Sequence, residues 1–382
     1  MKRLILTITL LSACQEMEKL PPVEQAPTGP RQPAEVFVLT APQATTYLAR
    51  LAPMLAGRVL NDEELARIAQ DPTTSVRAVV DAWTKDSYFQ HAARDMISQK
   101  LLVSGERDGI DFDLPGNLAA YIAANNLPYS TILTADYCVD AFGNKGACDT
   151  GAPFAAGVLG TRAYLASRAG RFNLTRASTM MLAFACSRYP MDTEMQPRVE
   201  REQLIKMFQV ESLADQTDDR ARSGFGNGEQ CYTCHGQFAV HAQVFVRFDE
   251  SGLWQAAATG QQDTGPDAEL GRSLNGLYAS HFQNTAQAAS EQSQMMGTVV
   301  QDLAAAAKVL AQSPQFVACS SRNLVEYALA VDGSTRVDED TLNAVTEAAR
   351  AVVADPSLAT IAVETFSNSR IVRSVVPKEA AP

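Results

Sequence analysis

Five consecutive residues, Cys231-Tyr232-Thr233-Cys234-His235, constrain what this chain can fold into more than any other stretch. Two thiols three positions apart fit one helical turn, and an imidazole follows directly after the second. That spacing lets both sulfurs reach the two vinyl groups of one porphyrin while the imidazole lies under the iron, which is the attachment pattern of c-type haem. The chain holds 7 cysteines and 4 histidines in 382 residues. A chain of that composition would show the run by chance roughly once in a thousand. A zinc ribbon needs a second Cys or His pair at matching spacing, and only His241 follows closely. A thioredoxin-like dithiol needs a parallel βαβ pattern around the motif, which the sequence lacks. The motif therefore implies one covalently attached haem c, tethered by Cys231 and Cys234 and ligated by His235.

The residue on the opposite face of the iron decides the chemistry. Met295 and Met296 lie well downstream of the motif, at a separation that resembles small c-type cytochromes, where a distant loop carries thioether sulfur across the ring. Met296 is the expected ligand, with Met295, His281 and His241 as alternatives and an open or water-bound position also compatible. At least one of the two methionines is expected to fill core space. His241 is six residues past His235, which suits packing near the ring better than wrapping around it. A thioether ligand raises the potential and favours electron transfer, whereas an open position admits peroxide or small-ligand chemistry.

The N-terminus points to export. Residues 1–13 run from Lys2 and Arg3 through a short apolar stretch to small residues, the layout of a signal peptide. Leu11-Ser12-Ala13-Cys14 resembles the lipobox of bacterial lipoproteins, which implies that Cys14 is lipidated and becomes the mature N-terminus. Gln15 stands where inner-membrane lipoproteins often carry Asp, so the resemblance implies the outer membrane, facing the periplasm or the cell surface. Residues 14–35 contain Pro21, Pro22, Pro27, Pro30 and Pro33, too dense for a helix and suited to a partly extended tether. With Cys14 assigned to lipid and two cysteines to haem, Cys138, Cys148, Cys186 and Cys319 remain. An even remainder in an exported protein implies two disulfides with three connectivities. The preferred pairs are Cys138 with Cys148, closing a Gly-rich loop, and Cys186 with Cys319, tying the middle of the chain to its end; free buried thiols are the alternative. A net charge of -11 argues against sequence-independent nucleic-acid binding, which rests on neutralising phosphates.

Beyond the tether the apolar spacing is helical, so the expected fold is mainly α, a bundle-like architecture with a small β-hairpin after the haem motif. Three blocks are expected: a helical domain at 36–134, a central block at 135–298 carrying the motif, and a helical block at 299–382. Asn61 and Glu64 have the spacing of a capping box. Residues 73–102 carry one broad apolar stripe with Trp83 and His91 as ordinary packing or surface residues. Residues 297–313, 314–331, 338–355 and 357–372 read as four successive helices, and the alternation around Glu250-Ser251-Gly252 reads as the hairpin.

Three stretches together resemble a family of large cytochrome-c-like proteins typical of planctomycetes and myxobacteria. These are a central block made of residues 157–186 and the run from Cys231 to Gly260, a C-terminal block at residues 313–330, and an N-terminal block from about Thr46 to Gly105. The family's F-D-x-x-G-x-W sequence is matched by Phe248, Asp249, Gly252 and Trp254. The chain departs from the family directly after the haem motif, where Gly236-Gln237-Phe238 replaces an Asp-Pro-Leu-Gly-like sequence. The resemblance implies haem and architecture rather than a reaction. The functional expectation is electron transfer by a lipid-anchored monohaem cytochrome to a redox partner protein in the cell envelope. The alternatives are a haem enzyme, peroxidase-like or a dehydrogenase subunit, and a surface-binding lipoprotein whose haem is structural or sensory.

Overall fold

Capping and apolar spacing set the first helices. In the computed structural model Thr40 and Gln43 form a capping box that starts α1 (Ala41–Leu55), and Asn61 with Glu64 does the same for α2 (Asp62–Gln70). Tyr47, Leu48, Leu51 and Leu55 make one buried stripe on α1, each contributing about 1.5–3 kcal/mol by leaving water. The structure describes residues 38–169, 173–188, 241–245, 247–255, 294–329 and 337–376, all within one compact unit.

Residues 73–102 do not form one continuous helix. The stripe divides into α3 (Pro72–Thr84) and α4 (Tyr88–Leu101), because the Asp86 carboxylate accepts the Tyr88 N–H at 2.8 Å and turns the chain between them. Trp83 is buried, and its indole N–H donates to Glu64 at 2.6 Å. His91 is exposed. Further helices are α5 (Leu114–Ala124), α6 (Thr131–Thr134), α7 (Arg162–Ser167) and α8 (Leu174–Phe184), followed by α9 (Leu303–Gln312), α10 (Pro314–Leu329), α11 (Glu339–Val352), α12 (Leu358–Phe366) and α13 (Ser369–Val375). The last of the four expected C-terminal helices thus divides into α12 and α13. Asn368 caps α13 through the Arg370 N–H at 3.0 Å.

The protein is mainly helical. Described strands are short antiparallel pairs: β1 (Glu106–Arg107) with β2 (Ile110–Asp111), β3 (Cys138–Val139) with β4 (Lys145–Gly146), and β5 (Gln294–Met295) with β6 (Thr298–Val299). Strand β6 occupies the start of the helix expected at 297–313, which begins instead at Leu303. Helices from both ends of the described chain interlock. Helix α12 packs on α3, and α10 packs on α1, α11 and α12. The Tyr47 hydroxyl donates to the Phe366 carbonyl at 2.9 Å, while Tyr129 stacks on Phe316 with centroids 5.5 Å apart. Lys100 and Glu326 form an ion pair between α4 and α10. Among the described residues no helix is long and apolar enough to cross a membrane.

Candidate functional site

The motif Cys231–His235, His281 and Cys14 lie outside the described residues. The flanks of the segment that carries the motif are described, and both are held by one short helix, α8. Upstream, Cys186 follows the end of α8 with φ of 50° and is bonded to Cys319 of α10, Cα atoms 5.2 Å apart. Asn323 reinforces this contact by donating to the Ala183 carbonyl at 2.8 Å. The other disulfide joins Cys138 to Cys148.

Downstream, the turn at residues 247–255 is built by one carboxylate. Asp249 accepts the Ser251 and Leu253 N–H groups at 2.9 Å each, the Ser251 hydroxyl at 2.9 Å and the Gln255 amide at 2.8 Å. Burial raises its pKa, and these donors outweigh that and hold it below the usual carboxylate range. A single antiparallel bridge pairs Phe248 with Trp254 across the turn. Phe248 is buried, and Phe154 packs edge-on against Trp254 with centroids 5.1 Å apart. Gly252 has φ of +77°, and a Cβ there would lie 3.0 Å from Leu165 Cβ and 3.2 Å from Arg162 Cα. All four residues of the F-D-x-x-G-x-W sequence therefore have structural duties in one turn docked on α7. Replacing Gly252 with Ala adds both left-handed strain and a close contact, and is expected to cost about 1–2 kcal/mol. Urea unfolding measures this; an unchanged midpoint would contradict the packing.

Arg176, in the first half of α8, grips that turn. Its side chain is 0% exposed. Nε donates to the Leu165 carbonyl at 2.8 Å and Nη1 to Asn173 Oδ1 at 2.8 Å and the Phe248 carbonyl at 2.9 Å; Nη2 donates to the Asp249 carbonyl at 2.6 Å. Burial lowers its pKa to about 10, still high enough to keep it charged at neutral pH. The Tyr164 hydroxyl donates in turn to the Arg176 carbonyl. Sequence reading assigned Arg176 no role. The available signal is its position four residues before Met180 and eight before Phe184, both buried, which places it on the inward stripe of the helix.

Of the candidate distal ligands, His241, Met295 and Met296 are described. His241 is partly buried at the start of the described stretch that continues into a 3-10 turn at Gln243–Phe245. Met295 and Met296 sit on the β5–β6 hairpin, where Met296 and Gly297 have φ of 50° and 77°. Hairpin turns with two positive-φ residues ordinarily take Asn, Asp or Gly at the first position, so methionine there is an exception. Met295 is fully buried, whereas Met296 is half-buried at the tip. Helix α9 contacts both β5 and the Gln243–Phe245 turn, which makes it a shared neighbour of the methionine hairpin and of the chain shortly after the Cys231–His235 motif. An imidazole, a thioether and two thiols form a donor set suited to haem iron and its attachment. Among the described residues no group of three or more His, Cys, Asp or Glu side chains could hold a metal ion. No protein-family model, curated protein or solved structure matches the chain.

Proposed function

We propose that the protein is an exported, lipid-anchored monohaem c-type cytochrome that transfers electrons to a partner protein in the cell envelope. The Cys231-x-x-Cys234-His235 motif carries this reading. Cys231 and Cys234 would hold the haem by thioether bonds, His235 would ligate its iron, and Cys14 would anchor the chain to the outer membrane. The haem supplies a one-electron couple when bound. The chain's own contribution is to fix the flanks of its haem-bearing segment through α8, so that little reorganises around the site. The packing of α1, α3, α10 and α12 supports a bundle-like architecture, and the Phe248–Trp254 bridge supports a small hairpin after the motif.

Met296 is the preferred distal ligand. Met295 is enclosed in the core, which suits space-filling, whereas Met296 is presented at a turn in a conformation that costs a methionine energy. Strained positions of that kind collect at functional sites. Six residues of chain from His235 to His241 span at most about 20 Å, so the imidazole lies within reach of the region around α9.

Protein produced with haem-attachment machinery is expected to give a peroxidase-positive band on a denaturing gel and sharp low-spin bands on reduction. The band should vanish in the Cys231→Ser, Cys234→Ser double variant. Met296→Ala should remove the thioether-to-iron charge-transfer feature, and Met295→Ala should keep it. Colourless protein from the same expression system would overturn the haem assignment, and an unaltered spectrum in Met296→Ala would overturn the ligand assignment alone.

A further inference from the structure

A pocket of about 340 Å³ lies between α4, α5 and the disulfide-closed loop of residues 138–148. Its polar wall includes Gln90, His91, Arg94 and Asn117, and its aromatic wall includes Tyr121 and Phe142. Two features set it apart from a surface hollow. Asn117 is 5% exposed, and its Nδ2 donor has no hydrogen-bond partner among the described residues. An unpaired buried donor of this kind costs about 1–3 kcal/mol, and an acceptor supplied from the pocket would recover it. Phe142, by contrast, is 89% exposed, yet it stands on a braced loop. The Asp140 carboxylate accepts the Phe142 and Asn144 N–H groups at 2.8 Å each and the Asn144 amide at 3.0 Å. Lys145 lies 3.8 Å over the Tyr137 ring. The loop thus presents a phenyl ring to water on the wall of the pocket from a braced backbone.

The remaining wall chemistry favours an anion. The Asp140 carboxylate is occupied by its own turn. Among the described residues Arg94 makes one long contact, with Asp113 at 3.5 Å, which leaves guanidinium donors for a second carboxylate. We propose that this pocket binds an aromatic carboxylate, with the carboxylate held by Arg94 and Asn117 and the ring against Tyr121 and Phe142. The same chemistry is offered by a free aromatic acid and by the C-terminal phenylalanine of a polypeptide. The pocket shares no residue with the candidate haem site, so either assignment can fail without the other.

The test is calorimetric titration of the full chain with benzoate, with benzamide as the neutral control, and with a pentapeptide ending in Phe whose carboxyl is free or amidated. Saturable binding of benzoate or of the free-carboxyl peptide is expected, and shows which source is used. Binding should weaken at least about tenfold in Arg94→Gln and in Phe142→Ser, the latter an exposed position where folding is not at stake. Asn117→Ala should weaken it as well. The site is overturned by no saturable binding of either probe up to about 10 mM, by equal binding of the neutral controls, or by undiminished affinity in Arg94→Gln.

Discussion

Replacing Arg176 with methionine is expected to destabilise the protein by about 3–5 kcal/mol. Methionine keeps much of the volume and removes every donor. Three backbone carbonyls, those of Leu165 and Phe248 in the buried interior and that of Asp249 at its partly buried edge, then lose a partner, and Asn173 Oδ1 loses its donor. The cost is large because the acceptors come from three separate pieces of chain that the one guanidinium joins. Arg176→Lys restores the charge without the planar fork, so it should recover only part of the loss. Urea unfolding gives the magnitude. The location of the damage can be read independently from fluorescence, because the chain has 2 tryptophans. Trp83 is buried in the helical core, and Trp254 packs on the gripped turn. A Trp83→Phe background isolates Trp254, whose emission should shift to longer wavelength in Arg176→Met under conditions where the helical signal persists. A loss below about 1 kcal/mol would show that water or a rearranged turn satisfies those carbonyls.

Local rules made the helical ends readable. The Asn61 and Glu64 capping box follows from residue types at fixed spacing and is formed at 2.8 and 2.9 Å. The preferred cysteine pairs are the ones bonded in the structure, since few cysteines leave few pairings. Features that depend on distant partners were hidden. The break between α3 and α4 escaped because the apolar stripe continues on both sides of a single side-chain cap at Asp86. The sequence expectation of a helix from Gly297 misses β6 because Thr298, Val299 and Val300 extend an apolar run, and the turn uses Met296 where a hairpin signal would show Asn or Gly. Arg176 was hidden for the opposite reason: a charged residue on a helix defaults to solvent, and only the fold supplies the carbonyls that make burial tolerable. Asn117 shares that character, because nothing in residues 114–124 indicates that its amide will lack a partner.

Removing the Cys186–Cys319 crosslink is expected to cost about 4–5 kcal/mol, because it closes a loop of 133 residues and the entropy restored to the unfolded chain grows with loop length. The Cys138–Cys148 bond closes only 10, for which the same relation gives less than about 3 kcal/mol. The informative variant is Cys186→Gly with Cys319→Ala. Glycine accommodates the positive φ at 186, so added backbone strain does not enter the comparison. The native docking of α8 on α10 should survive, because Asn323 still reaches the Ala183 carbonyl. The loss should therefore appear mainly as a more expanded unfolded state, with a steeper dependence on urea as well as a lower midpoint. A loss no greater than that of the Cys138→Ala, Cys148→Ala variant would refute the loop-length account. Arg176 near the start of α8 and Cys186 just past its end hold the chain on the two sides of the segment that contains Cys231–His235. The two holds share no partner residue, so the losses in Arg176→Met and in Cys186→Gly with Cys319→Ala are expected to add to within about 0.5 kcal/mol, and a larger departure from the sum in urea unfolding would show that they are coupled.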